Sequence, residues 1–297
     1  MKADPRFSGK DLEFWSYVRL CSQHLGYTEK KLPKGKNKSA TQSSGDDPKN
    51  SGAVALHTLP QLRTALEQLG FSSAKLQDSS GYVSTFGRDL EAYFAYRAEL
   101  LNGKVQANLM DRAQAETEFL KLKTEFNPQC PLPMNKQKGE KRHYAFLTGI
   151  VNMLLEAHLS PNPIDYDPRR LITISRDGLP LRTFSRRVDG CFPATTNPKA
   201  IWEIKEYYYT TTFGSRVADG VYETMLDGLE RSELKQNHNI QIHHTLFFDD
   251  RFTWWDCGKS YLCRLVDLLN MGYVSELIVG REVLTRLPEL VEDWKNL

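Results

Sequence analysis

The chain has 297 residues, enough for two domains or one large one with an ample core. Hydrophobic residues at 40% and charged residues at 26% are ordinary for a soluble globular protein, and no apolar run of about 18 residues marks a transmembrane helix. A net charge of +2 excludes a polycation, so any nucleic-acid surface has to come from local clusters of Lys and Arg.

The start of the chain, MKADPRFSGKDLEFW, lacks the apolar stretch of a signal peptide. The five cysteines, Cys21, Cys130, Cys191, Cys257 and Cys263, are odd in number, scattered and free of any CxxC. That usage points to reduced thiols and a cytoplasmic setting, not to a disulfide framework or a zinc ribbon.

Apolar residues at helical spacing predict a helix within residues 11–27. Residues 30–52 follow, polar and rich in Lys, Ser and Gly, and read as a flexible loop. Thr58 is a good N-cap, with Pro60 close behind, for a helix that stops near Gly70. Residues 86–102 and 106–126 read as two further amphipathic helices. Prolines (Pro128, Pro131 and Pro133) and a basic cluster then mark a boundary between residues 127 and 139. The predicted division is a mostly α-helical domain over 1–135, for recognising or clamping DNA, and a second domain over 136–297.

The pattern changes after that boundary. Residues 143–159 form one strong helix, and short β-rich runs follow at 170–177, 181–192 and 199–212. Then come a helix (216–234), a strand (240–250), a helix (260–271), a strand (274–280) and a closing helix (281–294). Hairpins first and alternating units afterwards predict an α/β fold, a mixed central sheet flanked by helices, with an α-helical N-terminal domain.

Asp189 lies near the end of one predicted strand, and Glu203 and Lys205 lie in the next. A strand has a period of two, so Glu203 and Lys205 share a face while Trp202 and Ile204 point the other way. A hairpin return would bring Asp189 beside Glu203 on an exposed strand face. Two carboxylates and an ammonium in one patch suit phosphodiester hydrolysis: hard oxygen ligands for Mg²⁺, an acidified water, and a cation to stabilise the transition state. The carbonyl oxygen of Ile204 is a further candidate ligand. A surface Asp beside a cross-face Glu–Lys pair is the plain structural alternative.

Asp189, thirteen residues, then Glu203-Ile204-Lys205 resembles the PD-(D/E)XK nuclease superfamily, the restriction-endonuclease-like fold, over roughly residues 141–294. Val188 stands where that family nominally has proline. The resemblance implies catalysis by Asp189, Glu203 and Lys205, with Mg²⁺ (or Mn²⁺) on Asp189, Glu203 and the Ile204 carbonyl. It implies a supporting carboxylate on the preceding helix, a position that Glu156 fills. The implied substrate is double-stranded DNA, the implied role restriction or phage defence, and the implied assembly a homodimer or a heterodimer with a related subunit. A structure-specific repair or recombination nuclease and a non-catalytic nucleic-acid-binding protein are the alternatives.

Arginines crowd the approach to this strand. Arg176, Arg182, Arg186 and Arg187, with Lys141 and Arg142 at the boundary and Arg216 opening the next helix, are candidate phosphate contacts. Asp219 and Glu223 share a helix face at i,i+4. His243 and His244, adjacent on a strand, face opposite ways and read as structural, as do Trp254 and Trp255 in packing.

Overall fold

The computed structural model describes residues 1–29, 52–135, 143–210 and 214–297. The predicted loop over residues 30–52 falls almost wholly outside them, and so do Lys141 and Arg142.

Three helices build the N-terminal part: α1 (Leu12–Leu25), α2 (Leu59–Gln68) and α3 (Thr85–Leu100). Asp11 caps α1 by accepting from the Phe14 amide at 2.8 Å, and Thr58 with Gln61 forms a capping box on α2. Their apolar faces close on Phe14, Trp15, Leu62, Leu90 and Phe94. The chain continues through a π-helical stretch, Leu101–Val105, and a single turn α4 (Gln106–Asn108).

α5 (Arg112–Phe126) begins afresh at Asp111, which forms a capping box with Gln114, so the predicted helix over 106–126 is interrupted. α5 packs on α6 (Phe146–Leu159), and Phe119 lies so close to Gly149 that a side chain there would collide with the ring. Ala115, Phe119 and Leu122 belong to the same apolar core as α6. Placing a domain boundary at 127–139 separates two helices that the structure packs together.

The β-rich stretch holds four strands where three runs are predicted: β1 (Thr173–Arg176), β2 (Leu179–Thr183), β3 (Gly190–Phe192) and β4 (Ala200–Glu206). Asp177 and Gly178, at φ 52° and 77°, make the two-residue turn that joins β1 to β2 as a separate antiparallel pair. The run over 181–192 divides because Phe184 and Val188 turn inward between β2 and β3 to fill a small core with Ile201.

α7 (Ser215–His238), β5 (His243–Asp249), α8 (Lys259–Asn270), β6 (Glu276–Val279) and α9 (Val283–Lys295) complete the chain. The main sheet runs β3-β4-β5-β6, with β3 antiparallel to β4 and the remaining pairs parallel. Alternation along the strands sorts its two faces. Trp202, Phe247 and Ile278 pack with α6 and α9, and Trp202 stacks on Trp294 at 5.6 Å. Leu246, Phe248, Leu277 and Val279 pack with α7 and α8. This is the mixed sheet flanked by helices that the sequence predicts.

The N-terminal helices dock on the α8 side. Ala98, Leu101 and Val105 enter the same core as Leu262 and Leu269. The buried Arg97 donates to Asp267 at 3.0 and 3.2 Å, beside the Tyr93 hydroxyl. No two cysteines form a disulfide, and all five are buried. Among the described residues, no helix is long and apolar enough to cross a membrane.

Candidate functional site

The β3–β4 register pairs Gly190 with Trp202, so the next pair outward is Asp189 and Glu203. The Asp189 amide donates to the Trp202 carbonyl at 3.1 Å, and its carboxylate accepts from the Ile204 amide at 2.8 Å. Any side chain at Gly190 would run into the Trp202 indole, which explains the close approach of the two strands at this point. Ile204 directs its amide at Asp189, and in a strand a residue's carbonyl shares that edge. The Ile204 carbonyl and the Asp189 carboxylate therefore border the same notch where β3 begins. The predicted juxtaposition of Asp189, Glu203 and Ile204 is present.

The face that Glu203 and Lys205 share is covered by α7, not open to solvent as predicted. Glu203 is fully buried and Lys205 is 13% exposed. Arg186 grips both Glu203 oxygens, at 2.9 and 3.0 Å, and reaches Asp227 at 2.8 Å and Glu223 at 3.4 Å. Lys205 donates to Glu203 at 2.8 Å and to Glu223 at 2.6 Å. Burial alone would raise the Glu203 carboxyl, but Lys205 and Arg186 outweigh it and hold the group below its usual value. Burial opposes the charge on Lys205 as well; Glu203 and Asp189 reverse the effect and raise its pKa. Asp227 is pushed up to about 7 by burial, with Glu203 adding to the shift against Arg186.

Arg186 is thus an internal ion-pair partner and not a free phosphate contact, as the sequence had suggested. Arg182 is likewise committed, to Glu230 at 3.0 Å and to Glu233. Arg176, Arg187 and Arg216 are exposed; Arg176 reaches the His238 carbonyl at 3.4 Å. Glu156 is not brought to the site. It lies on α6, which packs on the opposite face of the sheet, and it accepts from the Gln129 amide at 3.0 Å.

Asp227 and Glu223 join the centre instead. Asp219, Glu223 and Asp227 repeat at i, i+4 and i+8, so the predicted Asp219–Glu223 stripe ends one turn too early. A second acidic pair also escaped the sequence reading. Glu206 and Asp249 are register partners at the C-terminal ends of β4 and β5, each pushed up to about 7 chiefly by burial. Thr148 donates its amide to Glu206 at 3.0 Å, and the amides of Met110 and Asp250 donate to Asp249 at 2.9 and 2.8 Å. His243 and His244 are structural in placement: burial lowers them to about 4 and about 3, and His243 accepts from the Trp294 indole.

Among the described residues, no three acidic, His or Cys side chains converge as a ready metal cage. The donor chemistry nonetheless suits a divalent cation. Four carboxylates, Asp189, Glu203, Glu223 and Asp227, gather around Arg186 and Lys205, and Asp227 Oδ1 is buried without a hydrogen-bond partner. Seating a cation on Glu203 requires Arg186 to release at least one of its oxygens.

The fold and site define a two-part α/β protein with a charged centre held between β4 and α7. The chain belongs to the family described as a domain of unknown function (DUF7687), whose model matches residues 110–294. A second domain of unknown function (DUF7690) matches residues 1–104. The two matches meet between residues 104 and 110, ahead of α5, in keeping with the packing of α5 on α6. No curated protein and no solved structure matches the chain.

Proposed function

We propose that this protein is a Mg²⁺-dependent endonuclease that hydrolyses DNA phosphodiester bonds, acting in restriction or phage defence. The observation that carries the reading is the β3–β4 pairing, which sets Asp189 directly beside Glu203-Ile204-Lys205. The metal would be held by Asp189, Glu203 and the Ile204 carbonyl, and when bound it supplies a polarised phosphoryl oxygen and an acidified water.

The chain's own residues do the remaining work. Lys205, kept protonated by its carboxylate neighbours, stabilises negative charge building on the phosphoryl oxygens. Exposed Arg176, Arg187 and Arg216 contact flanking phosphates. Arg186 neutralises Glu203 before a cation arrives, and the Asp227 and Glu223 carboxylates receive its guanidinium when it moves. Double-strand cleavage by single-site chains requires a pair of subunits, a homodimer or a heterodimer with a related chain, because the two DNA strands run antiparallel.

A second reading rests on the burial of Glu203: a non-catalytic nucleic-acid-binding protein in which the ion pairs only join α7 to the sheet. Incubation with plasmid and phage DNA in Mg²⁺ separates the two. Discrete fragments support the restriction enzyme, and a ladder supports a structure-specific nuclease. Intact DNA that is bound but uncut supports the second reading.

A further inference from the structure

A cleft of about 440 Å³ lies where the N-terminal helices meet α7 and α8, on the side of α7 away from the acid–base centre. Arg19 of α1, the Tyr27 ring beyond it, Tyr222 and Met225 of α7 and Arg264 of α8 line it. Its size falls within the range of about 300–1,000 Å³ typical of small-ligand sites.

The charge here is unbalanced. No carboxylate pairs with Arg19 or Arg264 among the described residues, and Arg19 donates to the Met271 sulfur at 3.5 Å. Asp267 is the one acidic residue lining the cleft, and it is already bound by Arg97 at 3.0 Å and by the Tyr93 hydroxyl. Arg264 lies over the Tyr27 ring at 5.8 Å and the Tyr261 ring at 5.2 Å, so its guanidinium is held in place by aromatic faces. Tyr222 is 54% exposed, and among the described residues no aromatic ring stacks upon it. Two guanidinium groups without a carboxylate partner beside exposed aromatic surface match a phosphate joined to a planar base.

We propose that this cleft binds a nucleotide, with its base against Tyr222 and its phosphate at Arg19 and Arg264. The same chemistry is offered by a free mononucleotide and by one unstacked nucleotide of a single strand.

Isothermal titration in EDTA tests the site with no cleavage in play. The ligands are the four deoxymononucleotides and a twelve-residue single-stranded oligodeoxynucleotide. Tyr222→Ala and Arg19→Ala alter exposed side chains, and melting curves matching wild type show that each variant is folded. Arg264→Gln is the third variant.

The expected result is saturable binding by wild type and about tenfold weaker binding by each variant, with affinity falling as salt rises. Binding of mononucleotides with that pattern identifies a free nucleotide as the ligand. Binding of the oligonucleotide alone, with the same losses, identifies a strand. Absence of binding by wild type, or variants that bind as tightly as wild type, overturns the proposal. Nucleotide binding by a protein that never cuts DNA would keep this site and remove only the nuclease.

Discussion

Arg186 holds Glu203 by both guanidinium nitrogens, at 2.9 and 3.0 Å, in a position where the carboxylate has no exposure to solvent. A paired charge in such a place is tolerated because each oxygen is answered, and the same pairing makes either partner costly to remove alone. Glu203 therefore carries two roles, one in the proposed chemistry and one in anchoring α7 to β4.

Glu203→Gln leaves Arg186 and Lys205 with Asp227, Glu223 and Asp189 as their acidic neighbours. The expected loss is about 2–4 kcal/mol of stability together with loss of cleavage. Urea denaturation reads the first and plasmid cleavage the second. A double-mutant cycle with Arg186→Met should return a coupling above about 1 kcal/mol, and additive effects would contradict the direct pair.

Asp227 and Asp249 should pull stability down as the pH rises from about 4 to about 8, while the buried His243 and His244, lowered from 6.5 to about 4 and about 3, work against them below 6.5. Asp227 and Asp249 have pKa values raised from 3.8 to about 7, chiefly by burial. Between those values these two groups bind more protons in the folded state than in the unfolded chain, so their contribution to stability declines through the window. Glu203, lowered from 4.5, acts the other way: its contribution is present above 4.5 and disappears in acid. Asp249→Asn cannot ionise, so its stability relative to wild type should be greater at pH 8 than at pH 5, on the order of 2 kcal/mol. Urea midpoints at the two pH values measure this, and an equal difference at both would contradict it.

Glu156→Gln should leave the metal requirement unchanged. Its carboxylate receives the Gln129 amide, and α6 lies on the far side of the sheet from Lys205. The expected effect is a loss of about 1 kcal/mol from the weakened hydrogen bond. An Mg²⁺ titration of cleavage shifted several-fold would return Glu156 to the site.

The sequence made the layers legible because the elements after residue 143 have clear periods. Strong β-formers mark β4 and β5, and α8 and α9 keep helical spacing. The pairing of Asp189 with Glu203 followed from the hairpin alone. Two things were hidden. Alternation says that Glu203 and Lys205 share a face, but not whether a helix covers it; α7 does, and this turns Arg186 inward. Glu206 and Asp249 lie far apart in the chain, and only the parallel β4–β5 register makes them neighbours. The packing of α5 was equally invisible, since a proline-rich connector after Asn127 looks the same within a domain as between two.

Subunit pairing can be tested by mixing wild-type protein with excess Lys205→Ala protein on supercoiled plasmid. Mixed dimers carry one working site, so nicked circles should accumulate while linear product falls. Linear product that declines only with dilution, without a rise in nicked circles, would argue against paired single-site chains.

The most direct measurement compares wild type with Asp189→Asn on supercoiled DNA in Mg²⁺, Ca²⁺ and excess EDTA. Asp189 borders the notch and accepts from the Ile204 amide, and it makes no part of the Arg186 grip on Glu203, so its substitution leaves that pair in place while removing one charge that supports Lys205. The account predicts cutting by wild type in Mg²⁺ or Mn²⁺, binding with little cutting in Ca²⁺, and none in EDTA. It predicts a folded Asp189→Asn protein with cleavage reduced at least about a hundredfold. Full cutting by Asp189→Asn, rapid cutting in EDTA, or no cutting by wild type with any divalent metal would contradict it.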